Sequence, residues 1–420
     1  MLLEKAKLFN TKKEFGFFLL GCLFILSYAL LIEYNNYTNL TKFDSAIIEA
    51  RVLKQYQKTK ATKTYQVLKL QAKKGFTFYT SQRKSFPQSI DKTLTLEINT
   101  SHINFYQYMS SFYAHSKVLH SDNNPTLKEK LDNYLDTVHQ NKQISSIYKA
   151  LYTATPLPKN LQNIFSQLGV SHLLAISGFH LGVLATLLFF LFKLPYRFLQ
   201  DRYFPYRNYK IDSFVSISLI LFAYLIFLDT PPSLLRAYTM MLIGFFLYDR
   251  GYKIISMQTL VLSAVILLAF FPRLLFSLGF WLSIAGVFYI FLFLIYFKNL
   301  SKIAQFLLLP FWVYLMMLPY SLTIFANFSL YHPLSILWSM LFGVFYPLSI
   351  LGHILGQGEI FDTLLDALIH LPKNSTQVDI GFAYLTLFMV ISFLAIYKRY
   401  ALYLLIFLSI SSLIYAVEKV

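Results

Sequence analysis

Residues 169–182 read GVSHLLAISGFHLG, a stretch apolar enough for a membrane helix yet interrupted by His172, Ser177 and His180. Hydrocarbon offers such groups no water, so polar residues within an apolar span mark a lined cavity or a substrate path. The span around them reads as His172–Phe192. Along it Ser171, Ala175, Gly178, Gly182 and Ala185 fall on one helical stripe. Gly178 and Gly182 form a G-x-x-x-G pair, and small residues let a second backbone approach, so the glycines read as packing positions. His172 and His180 lie off that stripe; they are either satisfied core histidines or groups lining a cavity.

Composition agrees on the class. Of 420 residues 56% are hydrophobic, mean hydropathy is +0.52, and 14% are charged, against roughly 25% in soluble domains. Lysine and arginine total 37 against 20 acids, a formal charge of +17. A membrane protein this basic follows a strong loop bias, meets a polyanion, or both. Apolar runs lie near Phe15–Ile32, His172–Phe192, Ser213–Leu228, Ser233–Tyr248 and Ile254–Phe271. Others lie near Phe276–Phe297, Ile303–Leu318, Leu334–Leu355, Ile380–Tyr397 and Ala401–Ala416. The expectation is a polytopic α-helical membrane protein with about ten transmembrane helices. Cys22 is the single cysteine, so no intramolecular disulfide forms.

A basic head (Lys5, Lys7, Lys12, Lys13) precedes the first run, and Glu33, Tyr34, Asn35 and Asn36 follow it without a small-residue cleavage site. It therefore reads as an uncleaved span with the N-terminus in the cytoplasm. On that orientation the loop Lys193–Asp212 is cytoplasmic. It carries Lys193, Arg197, Arg202, Arg207 and Lys210 against Asp201 and Asp212. Arg250 with Lys253, then Lys298 with Lys302, mark later inner loops, while the outer turns are nearly bare apart from Arg273. The pattern obeys the positive-inside rule.

Between the first two spans no membrane-length run occurs. Alternation over Ala46–Lys54, Thr64–Ala72, Phe76–Ser81 and Thr93–Asn99 suggests a small β barrel or sandwich. Leu127–Leu151 then turns to helical spacing, an amphipathic helix. The layout is a head and first helix (1–34), an extracytoplasmic basic β module (35–120), connecting helices (121–168) and a multi-span domain (169–420). From Ser45 to Lys92 eleven cations face only Glu49 and Asp91, interleaved with Tyr56, Tyr65, Phe76, Phe78, Tyr79 and Phe86. Cationic grooves with stacking platforms suit single-stranded nucleic acid. The candidate contacts are Lys54, Lys58, Lys60, Lys63, Lys73, Lys74, Arg83, Lys84, Tyr56 and Phe78. Solubilising lysines over a sheet core, or attraction to anionic lipid headgroups, are the plainer readings.

Two further stretches are informative. In DTPPSLLR (229–236) the prolines enforce a tight outer turn, and Arg236 lies about one turn into the next span. Asp229 is its plausible ion-pair partner; facing a pore, Arg236 would instead neutralise a phosphate. Pro319–Pro333 is apolar but broken by Asn327, Ser329, His332 and its prolines. It reads as a broken or re-entrant helix, or as an outer loop dipping into the interface. No phosphate-binding loop and no dense His/Asp/Cys cluster occurs, so neither ATP hydrolysis, a cofactor nor a metal is expected.

Four ordered blocks resemble the ComEC competence family: LPKNLQNIFSQLGVSHLLAISGFHLG (157–182), PPSLLRAYTMMLIG (231–244), FPRLLFSLGFWLSIAGV (271–287) and NFSLYHPLSILWSMLFGVFYPL (327–348). The resemblance implies an inner-membrane channel for single-stranded DNA in natural transformation, with an OB-like extracytoplasmic module after the first span. It also implies an extracytoplasmic DNA receptor and a cytoplasmic motor or strand-binding protein as partners. The metallo-β-lactamase-like domain of many members has no counterpart after the last spans, so a short form without nuclease chemistry is expected. Channel-lining candidates are His172, Ser177, Gly178, His180, Asp229, Arg236, Asn327 and His332. Rival readings are a solute or lipid transporter, which leaves the basic module unexplained, and an intramembrane serine protease using Ser177.

Overall fold

The first apolar run forms one continuous helix, α1 (Lys12–Leu40), entered through Thr11, whose hydroxyl accepts from the Glu14 amide. The computed structural model describes residues 11–420 except 61–62, 122–125, 204, 253–254 and 372–374. Lys5, Lys7 and Lys253 therefore lie outside the described residues, as do the side chains of Lys12 and Asp201. The chain divides into two units.

The first unit runs from α1 through Tyr134 and includes Ala264–Leu278. After α1 come β1 (Ser45–Lys60), β2 (Lys63–Ala72), β3 (Thr77–Arg83) and β4 (Thr93–Asn99). A short helix, α2 (Phe105–Ser110), precedes β5 (Phe112–Tyr113) and β6 (Ser116–Ser121). The order is β5-β3-β2-β1-β4-β6, all antiparallel except β3 with β5. Among the described residues the pairing gives a six-stranded sheet, not a closed barrel. β1 serves two partners: Ser45–Arg51 pair with β4 and Ala50–Lys60 with β2. Where it changes partner a bulge inserts Leu53 between Val52, opposite Leu70, and Lys54, opposite Lys69. An extra residue reverses which side chains face inward, and here it turns the lysines outward.

Leu68, Leu70, Phe76, Phe78, Leu94, Leu96 and Tyr108 form the buried core of this unit. Tyr108 comes from α2, which Asn104 and Gln107 hold in a capping box. Arg273 meets Glu33 of α1 through two parallel bonds, Nε to Oε1 at 2.7 Å and Nη2 to Oε2 at 2.6 Å, with the guanidinium 4.6 Å over the Tyr108 ring. Arg273 thus acts as a clasp within this unit.

The second unit takes Leu135–Ser263 and Gly279–Val420. The single amphipathic helix expected over Leu127–Leu151 is two, α3 (Leu127–Val138) and α4 (Lys142–Thr153). Asn141 caps α4 through the Gln143 amide, and the break is anchored at His139. The His139 ring stands 2.9 Å from Asp362 Oδ2 and 3.0 Å from His353 Nε2, and stacks on Tyr148. Next come α5 (Lys159–Gln167), the single turn α6 (Ser171–Leu174), α7 (Gly178–Tyr203), α8 (Tyr209–Phe227) and α9 (Pro232–Asp249). Then follow α10 (Met257–Phe270, shared with the first unit), α11 (Leu278–Tyr296), α12 (Lys302–Phe325), β7 (Asn327–Phe328) and α13 (Ser335–Ile354). The last elements are α14 (Asp362–Ile369), β8 (Thr376–Gln377), α15 (Phe382–Leu394) and α16 (Arg399–Glu418).

Six helices among the described residues are long and apolar enough to cross a membrane: α1, α8, α11, α12, α13 (with its lead-in from His332) and α16. Three apolar stretches are shorter: Gly178–Lys193, Met257–Phe270 and Phe382–Leu394. About ten full spans were expected; six are long enough among the described residues. The α9 helix belongs to neither group, since its 18 residues include Arg236 and Asp249. With this helix content the chain is a membrane protein. The basic stretch after Lys193 is helical to Tyr203, and Arg207 and the Tyr196 hydroxyl both bind Asp212 at the start of α8.

Candidate functional site

Strand register decides what the basic module can offer. Directly opposed residues share a face, and three rows cross the sheet: Lys54–Lys69–Tyr79, Tyr56–Val67–Ser81 and Lys58–Tyr65–Arg83. Lys60 and Lys63 form a fourth row at the hairpin end, and Tyr113 extends the first row beside Tyr79. One face therefore carries Lys54, Lys58, Lys60, Lys63, Lys69 and Arg83 around Tyr56, Tyr65, Tyr79 and Tyr113. The Lys69 ammonium lies 5.6 Å over the Tyr79 ring, and the Tyr113 and Ser81 hydroxyls are 2.6 Å apart. Burial, then the neighbouring Tyr79 and Tyr65 hydroxyls, push the Tyr56 phenol upward, so that ring stays neutral and available for stacking.

The two acids between Ser45 and Lys92 sit elsewhere. Asp91 pairs with Arg51 and Lys128, and Glu49 with Lys73. Among the described residues no carboxylate reaches the six cations of the tyrosine face. Lys73 is thus already engaged, and it and Lys74 stand in the β2–β3 turn. Lys84 follows β3 in an exposed turn. Phe78 requires correction: it points to the opposite face, is fully buried, and stacks on Phe112 at 5.6 Å. It is core and offers no ring to a ligand.

In the second unit the expected span His172–Phe192 is broken. α6 ends at Leu174, Ala175 is extended, and α7 begins at Gly178. Ser177 Oγ accepts from the Phe179 amide at 3.3 Å, while His180 Nδ1 accepts from the Ser177 amide at 3.3 Å. That reciprocal pattern is a capping box with histidine in place of glutamate. It accounts for the 3.2 Å approach of Ser177 Oγ to His180 Nδ1 without hydrolytic chemistry. His180 Nε2 then carries the ring proton; it turns toward the Leu173 carbonyl but does not reach hydrogen-bond geometry.

The start of α7 meets α9. Ser233 Oγ donates to the Ile176 carbonyl at 2.8 Å. A Cβ on Gly178 would stand 2.9 Å from Ala237 Cβ and 3.7 Å from Arg236 Nη2. Arg236 is only 5% exposed. Its Nη1 lies 3.2 Å from Met240 Sδ, its Nε has no partner, and among the described residues no carboxylate pairs with it. The expected Asp229–Arg236 ion pair is absent among the described residues. Asp229 and Thr230 instead form the turn before α9 with positive φ of 62° and 51°.

Asn327 and His332, also expected as lining residues, are both engaged with α5. Asn327 Nδ2 donates to Ser166 Oγ at 3.2 Å, and His332 Nε2 donates to the Ser166 carbonyl at 2.9 Å. Both pin the end of α5, and Gly169 is pressed against His332, where a Cβ would stand 2.9 Å from its Cα. The break after α12 is a short connection whose backbone pairs β7 with β8. Pro319 stays inside α12. His172 donates from Nδ1 to the Gly169 carbonyl and approaches Ser339 of α13 at 3.2 Å. His172 is exposed.

A family profile described as "Competence protein" matches residues 154–417, more than half of the chain and all of this second site. The chain belongs to the competence protein family. It is also 27% identical over 183 residues to an uncharacterized protein of Aquifex aeolicus (strain VF5), covering 43% of this chain and 39% of that protein. The chain thus spans about two fifths of the relative it matches. No solved structure matches.

Within this competence-family chain, the family match includes Gly178 and Arg236 but begins after the tyrosine face. Sequence reading missed Tyr113, which joins that face through a two-residue parallel strand with no local signature. It placed Phe78 wrongly because alternation alone does not say which face is core.

Proposed function

We propose that this protein conducts one strand of DNA across the bacterial inner membrane during natural transformation, with its N-terminus in the cytoplasm. The observation that carries the reading is Arg236: a buried guanidinium without a carboxylate, set against the first residue of the 26-residue α7. A helix N-terminus and a cation side by side repel one another and favour an anion between or beside them. A phosphate of a passing strand supplies that charge. Membership of the competence family supports this anion over a small solute.

The tyrosine face supports capture of the strand. Tyrosines accept bases of any sequence, and the unpaired lysines follow the backbone. Consecutive segments β5 and β6 pair with opposite ends of the sheet, which supports an OB-like module. Each phosphate entering against an inside-negative potential moves uphill by about 2.3 kcal/mol per 100 mV. A cytoplasmic motor or strand-binding partner supplies the pull, and an extracytoplasmic receptor delivers the DNA.

The test is labelled DNA followed separately outside and inside the inner membrane in cells lacking this chain. Accumulation outside with none inside is expected; normal arrival inside removes the reading.

A further inference from the structure

Against α13 lies a cavity of about 250 Å³ whose seventeen lining side chains are all isoleucine, leucine, valine, phenylalanine or tryptophan. Its inner wall includes Leu173 and Leu174 of α6, and Phe361 with Leu365 closes another side. No lining group would bind a phosphate, and water there would find almost no hydrogen-bond partner. The cavity therefore takes no part in conducting a strand.

Its open side identifies the occupant. Leu337, Leu341, Val344 and Leu348 form a stripe along α13 at three-to-four spacing, and all are exposed. Leu341, Val344 and Leu348, at 49%, 60% and 47% exposure, also line the cavity. α13 is one of the membrane-length helices, so this stripe meets hydrocarbon and the cavity opens onto it. A hydrocarbon chain can enter sideways without crossing a polar rim.

We propose that the cavity is a binding site for one acyl chain of a bilayer phospholipid. The bound chain packs behind α6, the turn whose other residue His172 reaches Ser339 of α13. Bilayer lipid thereby braces the segment leading into the α7 cap. This goes beyond the proposed conduction of DNA and is tested without DNA.

The experiment reconstitutes the full chain in phosphatidylethanolamine–phosphatidylglycerol vesicles containing phosphatidylcholine with a mid-chain diazirine. After irradiation the adducts are mapped by mass spectrometry. Adducts are expected at the inner residues Leu173, Leu174 and Leu365, as well as on exposed Phe24 and Phe407. In Val344→Trp, and independently in Leu341→Trp, the mouth is filled; the inner adducts are lost while those at Phe24 and Phe407 persist. Labelling of Phe24 and Phe407 with the inner residues bare would overturn the proposal. So would inner labelling that survives both substitutions.

Discussion

Gly178 lies beside Arg236: a Cβ on the glycine would stand at ordinary contact, 3.7 Å, from the guanidinium, and 2.9 Å from the neighbouring Ala237 Cβ, closer than side chains pack. The start of α7 and the second turn of α9 are in van der Waals contact there. Under the proposed function this arrangement is shut, and a strand passes only when the two helices part.

A disulfide tests that parting. Bridged cysteines hold their Cβ atoms about 3.8 Å apart, against 2.9 Å here, so Gly178→Cys with Ala237→Cys, in a Cys22→Ser background, should close on oxidation once the two helices have moved apart by about 1 Å. DNA import is expected to stop when the bridge forms and to return with reductant. Unchanged import across a quantitatively formed bridge would place the path elsewhere. Gly178→Ala, which only crowds the contact, should cost about 1–3 kcal/mol of stability.

Strand capture has a salt signature. Six cations meeting phosphates of a single strand give a log–log slope of binding against salt near −4, at roughly 0.7 per phosphate. Lys54→Gln, Lys69→Gln and Arg83→Gln together should flatten it by about 2. Tyr56→Ala or Tyr79→Ala should each weaken binding by about 1–3 kcal/mol. Phe78→Ala removes a core ring instead, so it should lower module stability by about 3–5 kcal/mol. Titrating strand onto the full chain in nanodiscs over a salt series measures the binding effects.

Ser177 separates conduction from proteolysis. As the cap of α7 it contributes helix stability, and Ser177→Ala should cost about 1 kcal/mol while import continues. Complete loss of activity in a folded Ser177→Ala protein would favour a nucleophilic role.

Asp136 gives a pH dependence. Burial alone would raise its pKa, but hydrogen bonds from Lys149 and Ser145 and the Lys149 charge outweigh that and hold it below the usual carboxylate value. A carboxyl depressed on folding stabilises above its unfolded pKa of about 3.9, and that contribution is lost as pH falls through the folded value. The stability gap between wild type and Asp136→Asn should be present at pH 7 and shrink in acid. A gap that widens on acidification contradicts the pairing.

Much of the strand layout was legible from alternation: the reading Thr93–Asn99 coincides with β4, and β2 differs by one residue from Thr64–Ala72. The outward turn of Lys54, Tyr56 and Lys58 was not, because it depends on the bulge at Leu53. Extending the parity of buried Ala50 and Val52 would put those side chains in the core. The break between α3 and α4 carried a local sign in the capping Asn141, but its anchor, His139 against His353 and Asp362, joins residues over 200 positions apart. Asn327 and His332 were conspicuous as polar residues in an apolar stretch. Their role in holding Ser166 appears only once α5 is brought beside them.

The most direct measurement replaces the buried cation itself. Cells carrying Arg236→Ala, and separately Arg236→Lys, are given labelled DNA, and the label is quantified on each side of the inner membrane at matched protein levels. The expected result is outside accumulation with import abolished in Arg236→Ala and partly kept in Arg236→Lys. Equal import by wild type and Arg236→Ala would contradict a strand passing this residue.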